Sequence, residues 1–266
     1  MRTRSALVIA SLSLLFTLPL AAHAESTRLV VHVLAHDAKL IGDAAGGAHV
    51  VVRDAATGRL LAEGLHLGGT GSTDKIIKEP QVRGETIYDT EGAASYRCAL
   101  DLDQPTWVNI EASAPLAYPQ SISRASSTLL VVPGRDIEGD GIVLELNGLI
   151  VNLLSPHVET KLRGGDQVEI QSSVKLLCTC PIFEGSPWDS ADYRVEAELW
   201  ADGKRLKSVP LQISETHNVF AGTMELPNVE KDEPLVAELR IVAGNDAQHN
   251  YGMDRAVLKI THKNPE

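Results

Sequence analysis

Cys178-Thr179-Cys180-Pro181 is the segment of this 266-residue chain whose residue types and spacing carry the most chemistry. Beyond that pair the sequence holds one more cysteine, Cys98. Deprotonated, the sulfurs suit a soft ion such as Cu(I), which prefers thiolate and thioether ligands. Oxidised, they make a structural disulfide, which an oxidising compartment favours. A thiol pair that opens and closes would be redox-active, and spacing alone does not choose among the three. If the alternation that begins near Gln167 continues, Val168, Ile170, Val174, Leu176, Cys178 and Cys180 share one strand face. Same-face neighbours lie about 6.6 Å apart, whereas a disulfide needs Cβ atoms within roughly 4.5 Å. A Cys178–Cys180 bond therefore requires the strand to break, which Pro181 permits. The expected soft-metal site takes Cys178 and Cys180 as ligands with help from Cys98, and His249 and Met253 are further candidates. His157, His217 and Met224 are compatible ligand types, although each also suits a turn, surface or core position.

Two other constellations have recognisable chemistry. Gly68-Gly69-Thr70-Gly71 can present backbone amides to an anion, above all if Asp74 to Glu79 form a short helix behind it. It lacks the Lys-Ser/Thr ending of a P-loop, so a flexible inter-strand loop is the competing expectation. Asp136, Glu138, Asp140 and Gly141 resemble the front of a calcium loop. Asn147 stands where a bidentate Glu would close it, and a solvated connection is the expected reading. No His-Glu-x-x-His pair, Gly-x-Ser-x-Gly elbow or dinucleotide fingerprint occurs, so the expectation is a protein that is not an enzyme. Trp107, Trp188, Trp200 and Tyr118 could contribute a sugar platform. Trp107 and Trp200 lie inside strand patterns and are expected in the core.

These residues sit in an acidic chain, with 24 Lys+Arg against 35 Asp+Glu and a formal net charge of −11. That balance argues against a nucleic-acid partner, which requires a basic footprint for phosphates. Residues 1–24 read as a secretory signal peptide. Arg2 and Arg4 precede an apolar run from Ser5 to Leu20, and Ala22-His23-Ala24 supplies small residues for cleavage. The expected location is the periplasm or the outside of the cell, with no later membrane span.

The elements that must position the cysteines read as strands, because apolar residues alternate between turn clusters and no sustained helical period appears. In the first half the expected strands are Leu29–Leu34, Val50–Arg53, Leu60–Ala62, Tyr96–Leu100, Trp107–Ile110 and Leu129–Val132. Asp54 to Gly58 forms a hairpin connection. Pro133 to Gly141 is the expected boundary region, and seven further strands follow between Leu149 and Ile260. Seven short strands with turn signals match one immunoglobulin-like sandwich. The fold class is all-β, as two consecutive β-sandwich domains over 25–145 and 146–266.

Val50 to Ala62, with Pro105-Thr106-Trp107-Val108-Asn109-Ile110-Glu111-Ala112, resembles the carboxypeptidase-regulatory-like, or transthyretin-like, sandwich. The second half resembles the immunoglobulin-like modules of secreted bacterial proteins. The whole chain is similar to a group of secreted bacterial two-domain proteins of unassigned function that carry Cys-Gly-Cys-Pro followed by Gly, Trp and Asp. Here those positions are Cys178, Cys180, Pro181, Gly185, Trp188 and Asp189, and Thr179 stands in place of the glycine. The resemblance implies binding, spacing or assembly rather than catalysis. Two functions follow as expectations. One is a secreted binding protein that takes Cu(I). The other is an envelope interaction or assembly module, with structural cysteines and a protein or glycan partner.

Overall fold

The structure is a computed structural model that describes residues 25–230 and 233–263. The expected signal peptide lies outside the described residues. The fold is all-β, as the alternation requires, and is built as two consecutive sandwiches.

The first sandwich contains β1 (Glu25–Ala35), β2 (Ala48–Asp54), β3 (Leu60–His66), β4 (Tyr96–Leu102), β5 (Thr106–Ala114), β6 (Ser123–Val131) and β7 (Ile137–Leu146). One layer has the order β4-β1-β7 and the other β3-β2-β5-β6. Between them lie alternate residues such as Val31, Val33, Val50, Val52, Val108 and Ile110, all buried. The β2–β3 hairpin forms where expected: Asp54 Oδ1 accepts the amides of Ala56 and Thr57 at 2.9 Å.

The stretch expected to be a boundary corrects the sequence reading, because from Ile137 onward it is β7, paired in parallel with β1. The register shifts between Leu29 and Val31, and Gly141 sits at that irregularity with φ +54. A side chain there would run into the carbonyl of Val30. The glycines that read as a loop instead allow a bulge in a buried strand pair. The acids that resembled a calcium loop are engaged within the fold. Asp136 accepts from the Arg28 amide at 2.8 Å and from its guanidinium, and Glu138 lies 3.3 Å from Arg28 Nε. Asp140 accepts the amides of Ile87, Tyr88 and Asp89.

Those amides belong to the long segment from Leu67 to Ser95, which covers the outer face of β1. There Leu34, Leu40, Ile76 and Ala94 form a second, smaller core. His32 and His66 are fully buried beneath it, with ring centroids 6.4 Å apart. His66 Nε2 accepts from the Val33 amide at 3.1 Å, and its Nδ1–H donates to Ile41 O at 3.1 Å.

The second sandwich contains β8 (Leu149–Ser155), β9 (Leu162–Arg163), β10 (Gln167–Leu176), β11 (Arg194–Ala201), β12 (Lys204–Ile213), β13 (Val219–Glu225), β14 (Leu235–Asn245) and β15 (Asn250–Thr261). The strand order is β8-β10-β13-β12-β11-β14-β15-β9. β12 pairs with β11 along most of its length and with β13 only at Gln212 and Ile213. It therefore passes from one layer to the other, and β8 packs back against β14 and β15. Asn147 and Gly148 alone separate β7 from β8. One continuous hydrophobic cluster runs through both sandwiches.

Candidate functional site

The cysteine segment follows β10, which ends at Leu176. Leu176, Leu177 and Cys178 are buried in succession, and the ladder of β10 has already ended when the chain reaches the first cysteine. The expectation that Cys178 and Cys180 project from one strand face is thereby corrected. The chain turns, with the Thr179 amide donating to Leu176 O at 2.8 Å and Thr179 at φ +63. The turn brings the cysteines together as a Cys178–Cys180 disulfide, with Cα atoms 5.3 Å apart. Both are buried, at 1% and 5% exposure.

The loop that follows is held on two sides. The Ile182 amide donates to Asn218 Oδ1 at 2.7 Å, the Asn218 amide returns a bond to Ile182 O at 3.0 Å, and Phe183 stacks on His217 with centroids 4.2 Å apart. Asp189 accepts the amides of Ala191 and Gly185, which hold its carboxyl below the usual carboxylate range. Trp188, buried at 6% exposure, reaches the other sandwich and donates from Nε1 to Asp37 O at 2.8 Å. Beside that contact His36 lies 2.5 Å from Glu145 and 3.0 Å from Gln248 O. Burial pushes the Asp37 carboxyl up and the Tyr193 hydroxyl up to about 12. An open cleft of about 740 Å³ lies between Thr73, Asp74 and Lys78 on one side and Pro181, Phe183 and Pro187 on the other. The disulfide loop is thus a wedge at the seam of the two sandwiches.

The remaining candidate ligands are dispersed. Cys98 is a free thiol on β4, opposite Leu29 and facing the first core, where burial pushes it up. His249 is exposed in the turn between β14 and β15, and Met253 points outward from β15 at 45% exposure. Met224 is buried in β13, His217 carries the Phe183 stack, and His157 is an exposed turn residue. Among the described residues no group of three or more His, Cys, Asp or Glu is arranged to hold a metal ion.

The Gly68–Gly71 loop is tied into the fold. The Gly68 amide donates to Asp43 Oδ1 at 2.7 Å and the Gly69 amide to Gly92 O at 2.7 Å. The segment behind it, Asp74–Lys78, is a single five-residue π-helical turn. Two of the loop's amides are thus occupied by the protein itself.

Two tryptophans correct the expectation of core positions. Trp200 lies on the outer face of β11, covered by the Arg240 guanidinium 4.5 Å from its ring centroid, with Nε1 donating to Glu198 at 2.8 Å. Trp107 is 58% exposed. Parity carried the signal: Val108, Ile110 and Ala112 are the inward residues of β5, so Trp107 must face out.

No family model matches the chain, and no curated protein matches it. Among solved structures it is similar to the fibronectin(III)-like modules of CbhA from Clostridium thermocellum, at 11% identity and a TM-score of 0.29, over 90% of this chain and 94% of that one. It is also similar to BcpA, the major pilin subunit of Bacillus cereus, at 10% identity and a TM-score of 0.33, over 90% and 70% of the two chains. A third similarity, to the titin Ig tandem domains A164-A165, has 10% identity and a TM-score of 0.24, over 91% and 98%. At these scores the two-sandwich arrangement rests on its own strand pairings.

Proposed function

We propose that this chain is a secreted or periplasmic, non-catalytic envelope interaction or assembly module in which the cysteines are structural. The observation that supports this most is the closed, buried Cys178–Cys180 bridge at the root of the loop that carries Trp188 to Asp37. A bridge so placed fixes the loop that joins the sandwiches, and the pair of β-modules offers outer sheet faces to a protein or a glycan. Among the described residues no helix is long and apolar enough to cross a membrane. The reading also draws on the cysteine-proline motif of the secreted-family resemblance and on the signal peptide expected at residues 1–24, whose removal would leave Glu25 at the new terminus.

Intact mass of protein purified without reductant, followed by titration with Cu(I), tests this reading. The expected result is a chain that begins at Glu25, is two hydrogens lighter than its reduced form and takes up no stoichiometric Cu(I). A native protein that binds one Cu(I) per chain, and loses it when Cys178 and Cys180 are replaced by Ser, would overturn the structural reading in favour of a soft-metal carrier.

A further inference from the structure

We infer that the outer face of the β3-β2-β5-β6 layer binds an uncharged polysaccharide, with Trp107 as the stacking platform. The inference deepens the interaction-module reading and rests on it.

Tryptophan is among the most buried residues on average, and an indole 58% exposed on a strand is therefore unusual. Its cross-strand partner is Leu130, also exposed at 43%. Two residues further along the strands, about 6.6 Å away, the next outward row is Arg53, Asn109 and Thr128, aligned by register across β2, β5 and β6. Asn109 Nδ2 donates to Thr128 Oγ1 at 3.1 Å. That bond fixes the amide beside the Thr128 hydroxyl, and the Arg53 guanidinium, which spends Nη1 on Gly58 O at 3.3 Å, keeps its other donors for a ligand. An apolar ring beside a row of fixed donors and acceptors suits a sugar, which offers an apolar C–H face to the ring and hydroxyls to the row.

The charge pattern selects an uncharged ligand. The chain carries 35 acidic against 24 basic residues, yet the charged outward residues of this face balance. Arg53 and Arg124 stand against Glu63 and Glu111, with Arg124 3.9 Å from Glu111. The outer face of β11, β14 and β15 differs, since its Trp200 is capped by Arg240, and Glu198 and Glu238 are engaged by Arg205, Arg240 and Arg255.

Affinity electrophoresis in gels cast with uncharged soluble polysaccharides (a β-glucan, a galactomannan and a dextran) tests the inference. Retardation is expected in at least one of them. Trp107→Ala should weaken it by about tenfold or more, and Thr128→Val by a smaller factor. Trp200→Ala should migrate as the wild type does. Trp107 is exposed, so its replacement leaves the fold intact, and an unchanged far-ultraviolet spectrum checks this. Absence of retardation in every gel would overturn the glycan inference, as would retardation insensitive to Trp107→Ala. A concentration-dependent self-association abolished by Trp107→Ala, without retardation, would assign the face to a second copy of the chain instead. The interaction-module reading fails separately, on the mass and Cu(I) measurements.

Discussion

The indole nitrogen of Trp188 donates to the backbone oxygen of Asp37 at 2.8 Å, joining positions 151 residues apart in sequence across the seam of the two sandwiches. Trp188→Phe keeps most of the ring and removes the donor. It should cost about 1 kcal/mol, the usual net value of a hydrogen bond, whereas Trp188→Ala should cost about 3–5 kcal/mol through the cavity it opens. Urea unfolding of both variants checks this, and an unchanged midpoint for Trp188→Phe would mean that the hydrogen bond contributes nothing.

His66 gives the protein a predictable acid sensitivity. Burial, and secondarily the neighbouring His32, lower its pKa from 6.5 to about 4. The unfolded chain therefore takes up this proton first as pH falls. Stability is at its full value above pH 6.5 and declines between 6.5 and about 4, by on the order of 3 kcal/mol from this group. His66→Gln can still accept from Val33 and donate to Ile41. Its urea midpoint should fall less steeply across that window, and an unchanged slope would remove His66 as the cause.

Asp140 holds the segment that covers β1. Burial acts to raise its pKa, but the amides of Asp89, Ile87 and Tyr88 outweigh burial and keep its carboxyl below the usual range. Asp140→Asn gives up charge-assisted bonds of about 1.5–3 kcal/mol. Hydrogen exchange at residues 87–89 should accelerate by tenfold or more while the strands of the second sandwich stay protected. Uniform acceleration throughout would show that the segment is not a separate unit.

The three cysteines should be distinguishable by count. Denatured protein without reductant should present one titratable thiol, Cys98, and three after reduction. In the native state Cys98 should react slowly, because burial pushes its thiol up and lowers the thiolate fraction. Fast native labelling would show that β4 opens readily.

Thr179 occupies a left-handed conformation at φ +63, which is unfavourable for a β-branched residue by about 1–2 kcal/mol. Glycine removes that cost while adding freedom to the unfolded chain. Thr179→Gly should therefore raise stability by roughly 0.5–1 kcal/mol. A lower denaturation midpoint would show that the threonine side chain holds the turn.

The alternation of Val50 and Val52, or of Val108 and Ile110, made the strands legible, because a buried face imposes a period of two wherever it occurs. Strand membership alone does not tell inside from outside: the inward neighbours Val108 and Ile110 dictate the outer face for Trp107. Gly139 and Gly141 suggested a loop, but a bulged parallel strand uses the same residues, and the partner that reveals it is β1, far away in sequence. The cysteine pair was legible as a pair. Its closure depends on where β10 stops, and the turn from Leu176 to Thr179 that stops it is not set by the cysteine spacing. His32 and His66 carried no sequence signal, since only the packed Leu67–Ser95 segment makes them interior.

The parallel pairing of β1 with β7 governs the order in which the molecule can assemble. Of the described strands in that sheet the earliest in sequence, β1, is the middle one, and it is tied to its last partner through Arg28 and Asp136, 108 positions apart. Closing so long a loop precedes any reward from the contact. The hairpins β11–β12 and β14–β15 join neighbours in sequence and face no such delay. The N-terminal strand, rich in valine and leucine, thus waits with open edges while its partners are still being made. An unfinished chain is exposed to wrong pairings at β1 until β7 has been made.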